Sequence, residues 1–206
     1  MAVVSNGTTI IDAGALGSGV PAGKMTLIKT LTASSSATLS FVDGASSVVL
    51  DDTYDSYVFK FYNIHPATND VNFQFNMSTD GGSNYNVTKT TTFFYGVHNE
   101  NDGAASLAYS TGRDLAQSTA FQYLTREVGN ENDESTAGNL FLFNPSSTTF
   151  VKHYISRFQH YSHNDASYDV YSAGYGNTTS AVNAIQFKFG SGNIDSGVIK
   201  LYGIGG

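Results

Sequence analysis

The sequence predicts an all-β protein: an antiparallel, jelly-roll-like β-sandwich with one short helix and an extended N-terminal arm. Three observations predict it. From Met25 onward the chain consists of short stretches that alternate apolar and polar residues, the two-residue beat of a strand with one buried face. Clusters of Gly, Asn, Asp and Ser separate these stretches, and such residues favour turns. The 206 residues include 14 Phe and 13 Tyr but neither Trp nor Cys, so aromatic packing rather than disulfides must supply the core. All-β sandwiches of roughly this length fold as one domain, which gives a division into an arm or linker over 1–24 and a sandwich over 25–206.

The arm differs in character from the sandwich. Residues 1–24 are small and Gly-rich, with one proline, Pro21, and little alternation. Strands are then expected at 26–32, 37–42, 57–64, 71–77, 90–97, 139–143, 149–158, 168–175, 184–189 and 198–204. In VNFQFNM, Val71, Phe73, Phe75 and Met77 share one face, and Asn72, Gln74 and Asn76 share the other, expected to be wet. Tyr57, Phe59 and Phe61 alternate in the same way, as do Ile185, Phe187 and Phe189. Burying each aromatic contributes about 1.5–3 kcal/mol. The closing stretch SGNIDSGVIKLYGIGG reads as a last strand that closes a sheet. The helix is placed at 113–129, where Leu115, Ala116, Ala120, Tyr123, Leu124 and Val128 recur at mixed three-and-four spacing before Gly129, a plausible C-cap.

Charge narrows the partners. Only 13% of residues are charged, the net charge is −7, and the ten Lys and Arg are scattered. Nucleic-acid binding needs clustered cations, so no nucleic acid is expected. No run of about 18 apolar residues suggests a membrane span, and the N-terminus lacks the basic and apolar regions of a secretory signal. The chain therefore reads as made and left in the cytosol. On that reading the Asn-x-Ser/Thr sequons at Asn6, Asn76, Asn86 and Asn177 are polar turns.

No motif specifies chemistry. STDGGSNY approaches an Asp-box, with Ser78, Asp80 and Gly82 in place but Asn84 and Tyr85 where Thr and Trp would stand; a single copy reads as a hairpin device. His160 and His163 would fall on opposite strand faces unless a turn intervenes, and no HExxH accompanies His65, His98 or His153, so solvated loop histidines are expected rather than a zinc site. The acidic loops 98–103 and 130–135 could attract calcium; an EF-hand register with Gly103 as its sixth position fails, which leaves a non-EF surface calcium against a plain solubilising loop. Without GxSxG or an inward acid on an apolar strand, no catalytic, metal or cofactor residue is assigned and the chain is not expected to be an enzyme. Tyr154, Tyr161, Tyr168, Tyr171 and Tyr175 offer a carbohydrate-stacking face as an alternative to core and subunit interface.

The phrases TLIKTLTASSSATLSFVDG, YDSYVFKFYNIHPATNDVNFQFNMSTDGGSNY, LFNPSSTTFVKHYIS, GYGNTTSAVNAIQFKF and SGNIDSGVIKLYGI resemble virion structural proteins of tailed bacteriophages, especially those of aquatic and cyanobacterial hosts. The resemblance runs from about Met25 to Ile204 and rests on turn and strand phrases. It implies a virion component assembled in the host bacterial cytoplasm: a capsid decoration, or cement, protein that binds and stabilises the major capsid shell as a homotrimer. The alternative is a tail fibre or spike adhesin module binding host surface polysaccharide, and a distant third is a glycan-acting enzyme. Partners implied are further copies of the chain and the major capsid or tail proteins. The arm would contribute partner contacts through Val3, Val4, Ile10, Ile11, Leu16, Val20 and Pro21, adding strand-edge hydrogen bonds.

Overall fold

The computed structural model describes residues 2–12, 15–16 and 25–205, the side chains of residues 11, 12, 15 and 16 excepted. It is all-β, and every pairing between its strands is antiparallel. Strands β1 (Val3–Ser5), β2 (Thr8–Asp12) and β3 (Ala15–Leu16) form a small meander of their own. The remaining strands in chain order begin with β4 (Met25–Thr32), β5 (Leu39–Val42), β6 (Ser56–Pro66), β7 (Phe73–Ser78), β8 (Lys89–Asn99) and β9 (Ala105–Tyr109). They continue with β10 (Gln122–Tyr123), β11 (Thr136–Phe143), β12 (Lys152–Ser162), β13 (Ala166–Gly176), β14 (Ala184–Phe189) and β15 (Ile194–Ile204). A sheet ordered β4-β15-β6-β11-β12-β13-β8-β9 packs against one ordered β10-β7-β14-β5.

Each strand expected from the alternation is present. Phe187 on β14 sits at the centre of the core, its ring centroid 4.9 Å from Phe61, 5.3 Å from Phe59, 6.1 Å from Phe73 and 6.3 Å from Phe41. These rings come from both sheets, in edge-to-face, tilted and stacked contacts that add to the stabilisation burial provides. The closing strand β15 does not end a sheet. It is threaded between β4 and β6, which leaves β4 as the edge.

A paired irregularity brings Ile64 inward where strict alternation would bury Asn63. Asn63 adopts φ 48°, the pairing of β6 with β15 shifts register there, and Ile64 becomes fully buried while Asn63 stays exposed. Opposite it, Gly197 has φ 121°, and a Cβ at that position would lie 2.6 Å from the Asn63 carbonyl oxygen. Only glycine combines that backbone conformation with that approach.

The helix expected at 113–129 is absent, and no α-helix occurs among the described residues. The segment instead runs as turns and the two-residue strand β10, because neighbouring sheet edges offer hydrogen bonds that a helix would forgo. The Ser118 N–H donates to the Lys89 carbonyl and the Lys89 N–H to the Ser118 carbonyl, while the Leu124 and Val128 N–H groups donate to the carbonyls of Phe73 and Val71. Gln117 and Glu127 adopt positive φ, which interrupts any helical run. The apolar residues at helix-like spacing are satisfied piecewise, with Leu124 and Val128 fully buried under the sandwich.

This segment also overturns the expectation of a wet face on β7. Gln74 and Ser78 are buried and Asn76 has no exposed surface. Its side-chain amide donates to the Tyr85 and Thr119 carbonyls at 2.7 and 2.9 Å. Asn76 is therefore a satisfied interior amide rather than a polar turn. The STDGG turn behaves as the hairpin device expected: the Ser78 hydroxyl donates to the Asp80 carboxylate at 2.6 Å, and the Asn84 N–H donates to it at 2.9 Å. The Ser78 hydroxyl and the Asn84 donors hold the Asp80 carboxyl down to about 2.

Candidate binding face

The outer surface of the eight-stranded sheet has no second layer over it among the described residues, and strand alternation dictates what it displays. Along β12, Tyr154, Ser156, Phe158 and His160 point into the core, so His153, Ile155, Arg157 and Gln159 point out. Antiparallel register then aligns the outward residues of neighbouring strands into rows. One row runs Leu27, Tyr202, Val58, Phe141, Ile155 and Ala173, of which Val58 is itself fully buried. It forms an apolar region with Met25 and Phe143; Met25, Leu27, Phe143 and Ile155 are 44%, 51%, 37% and 53% exposed. The Phe141 and Phe143 rings stack at 6.5 Å.

The adjacent row changes character. It runs Tyr109, Phe94, Tyr171, Arg157 and Asn139, then Lys60 and Lys200. Phe94 and Tyr171 stack with centroids 4.9 Å apart and planes within 2°, and the Arg157 guanidinium lies 5.0 Å over the Tyr171 ring. Arg157 grips Asp169 bidentately: Nε donates to Oδ1 at 2.9 Å and Nη2 to Oδ2 at 2.7 Å. The Tyr171 hydroxyl donates to the same carboxylate at 3.1 Å. These hydrogen bonds, Arg157's foremost, lower the Asp169 pKa.

Two hollows flank that wall and meet at Gln159. One, of about 420 Å³, is lined by Ala137, Gly138, Asn139, Arg157, Gln159 and Asp169. The other, of about 490 Å³, is lined by His98, Asn99, Glu100, Gln159, Tyr161 and Ser167. Ala137, opposite Gln159 on the outer face, keeps the floor low beside the long side chains of β12. Hydrogen bonding to Glu100 raises the Tyr161 phenol to about 12. His98 Nε2 lies 2.9 Å from Asp102 Oδ1.

Other titratable groups are enclosed rather than displayed. Lys89 and Lys152 are fully buried, and burial lowers both pKa values. The Lys152 ammonium donates to the Phe150 and Thr178 carbonyls at 2.7 and 3.2 Å. His160 is fully buried with neither ring nitrogen hydrogen-bonded, its ring stacked 5.0 Å over Tyr168. It is not the solvated loop histidine expected, and His163 lies past the strand end, 3.6 Å from Asp70. Among the described residues, no group of three or more His, Asp or Glu side chains is placed to hold a metal.

The residues expected to contact partners separate. Val3 and Val4 are exposed on β1 and Ile10 is half-buried on β2. The backbones of Val3, Ile11 and Leu16 pair across the meander; Val20 and Pro21 lie outside the described residues. The tyrosine set divides too. Tyr161, Tyr171 and Tyr175 belong to the outer face, whereas Tyr154 and Tyr168 are core residues. The sequence alone did not single out Asn139, Arg157, Gln159 or Asp169. The outward parity of KHYISRFQHYS was visible, but which strands flank it was not.

Set against protein-family models, curated proteins and solved structures, the chain matches none.

Proposed function

We propose that the chain is a virion structural protein of a tailed bacteriophage, a capsid decoration protein that binds the major capsid shell as a homotrimer. The observation that carries this reading is the apolar region around Leu27 and Ile155, because contiguous exposed apolar surface on a folded domain marks a site of association. The occupant we assign to that region is a second copy of the chain. Leu27 and Met25 lie on β4, whose outer edge carries unpaired main-chain groups, so one subunit contact would satisfy both apolar surface and strand edge. The resemblance in strand and turn phrases supports the particle assignment, and exposed Val3 and Val4 on the N-terminal meander supply a separate contact for the shell.

A mass-spectrometric count of purified particles tests it. Copies comparable with the major capsid protein support decoration, and absence from the particle overturns the reading. Light scattering on the isolated chain should give a trimer that Leu27→Lys dissociates. A count far below that of the capsid protein favours a second reading, a tail-borne adhesin module, for which the polar hollows around Gln159 speak.

A further inference from the structure

We infer that the two hollows joined at Gln159 form one groove that binds a neutral polysaccharide, hexose or N-acetylhexosamine in composition. The inference deepens the adhesin reading but rests on the groove alone, so its failure leaves the particle assignment standing. Four features point to this ligand class.

The first is size. The hollows, of about 420 and 490 Å³, fall within the range of small-ligand sites, and both include Gln159. Together they cross β11, β12, β13 and β8, three strand spacings or about 14 Å. That is the extent of a short run of sugar units rather than a single metabolite.

The second is hydrogen-bonding character. Asn139 and Gln159 present amides, and Ser167 and Tyr161 present hydroxyls. Each such group both donates and accepts, as every sugar hydroxyl does.

Third, the charges oppose an acidic ligand. The basic side chains that line the groove each have a carboxylate partner, Arg157 with Asp169 and His98 with Asp102. Glu100 lines the groove, and the chain carries a net charge of −7. Lys60 lies outside the lining, one strand beyond Asn139, so within the groove a phosphate or uronate would meet anions and no unpaired cation, while a neutral glycan would meet no such repulsion.

Fourth, the wall is already ordered. The Phe94–Tyr171 stack, the Arg157 guanidinium over it and the bidentate grip on Asp169 hold these side chains on a rigid sheet. Little rotamer freedom remains to be lost on binding. Tyr161 adds a half-exposed ring at the other end, a surface for the apolar face of a pyranose.

Titration calorimetry and saturation-transfer NMR with cellohexaose, mannohexaose and chitohexaose test this, with hexagalacturonate as the acidic probe. At least one neutral hexamer should bind with Kd of about 1 mM or tighter. Gln159→Ala and Tyr161→Ala should each weaken it by about tenfold, and Ile155→Lys, on the apolar region, should leave it unchanged. Gln159 is exposed and Tyr161 half-exposed, so circular dichroism should show both variants folded. Absence of binding by all three neutral hexamers overturns the inference. So does tighter binding of the acidic hexamer, or affinity unchanged in both groove variants.

Discussion

Lys89 and Asn76 meet inside the sandwich, the ammonium donating to the amide oxygen at 2.5 Å, with neither side chain reaching solvent. The lysine also donates to the Val87 carbonyl at 2.8 Å, and no carboxylate among the described residues accompanies it. Burial alone lowers its pKa to about 7.

Stability should therefore depend on pH through this lysine. The unfolded chain holds the Lys89 proton up to about pH 10.4 and the folded chain releases it near 7, so over that window the unfolded state binds more protons and stability rises with pH. The slope from this group is about 1.4 kcal/mol per pH unit, and below about pH 7 the penalty is complete and flat. Lys89→Met should raise Tm at neutral pH, because replacing a buried charge by an apolar chain of similar volume removes desolvation. It should also abolish much of the wild-type rise between about pH 7 and about pH 10, measured by scanning calorimetry.

His160 acts in the opposite range. Burial pushes its pKa down to about 3, so the folded chain keeps it neutral while the unfolded chain takes up a proton below about pH 6.5. Stability from this group is full above about pH 6.5 and is lost as pH falls toward 3. His160→Phe preserves a ring against Tyr168, so its urea midpoint should fall less than that of wild type between about pH 7 and about pH 5.5.

The aromatic core should answer to truncation at its centre. Phe187→Ala leaves a cavity among Phe41, Phe59, Phe61 and Phe73 and should cost about 3–5 kcal/mol in urea unfolding. Phe143→Ala, on the outer face, should cost well under half of that.

Gly197→Ala tests the paired irregularity of β15 and β6. The new Cβ would press on backbone rather than on a movable side chain, so a loss above about 1 kcal/mol is expected, against a few tenths for Gly96→Ala, where a Cβ meets open space.

The strands were legible because each carries its period in its own residues: AIQFKF places Ile185, Phe187 and Phe189 on one face whatever lies beside it. The 113–129 segment was misread because its apolar spacing fits a helix equally well, and only the free edges near Phe73 and Lys89 decide against one. His160 was misread for a related reason. The stretch KHYISRFQHYS shows two parities but does not say which is covered at the strand's end.

What the sequence determined by itself is the set of strands, their two-faced character and an aromatic core that needs no disulfide, because these are set by local alternation and composition. Tertiary structure alone decided strand order, and with it the candidate site. Arg157, Asp169, Tyr171 and Phe94 come from three strands, with up to 77 positions separating Phe94 from Tyr171. No local pattern records which antiparallel neighbour a strand will choose, since backbone hydrogen bonds are alike along every edge and only the packing of the whole core selects among them.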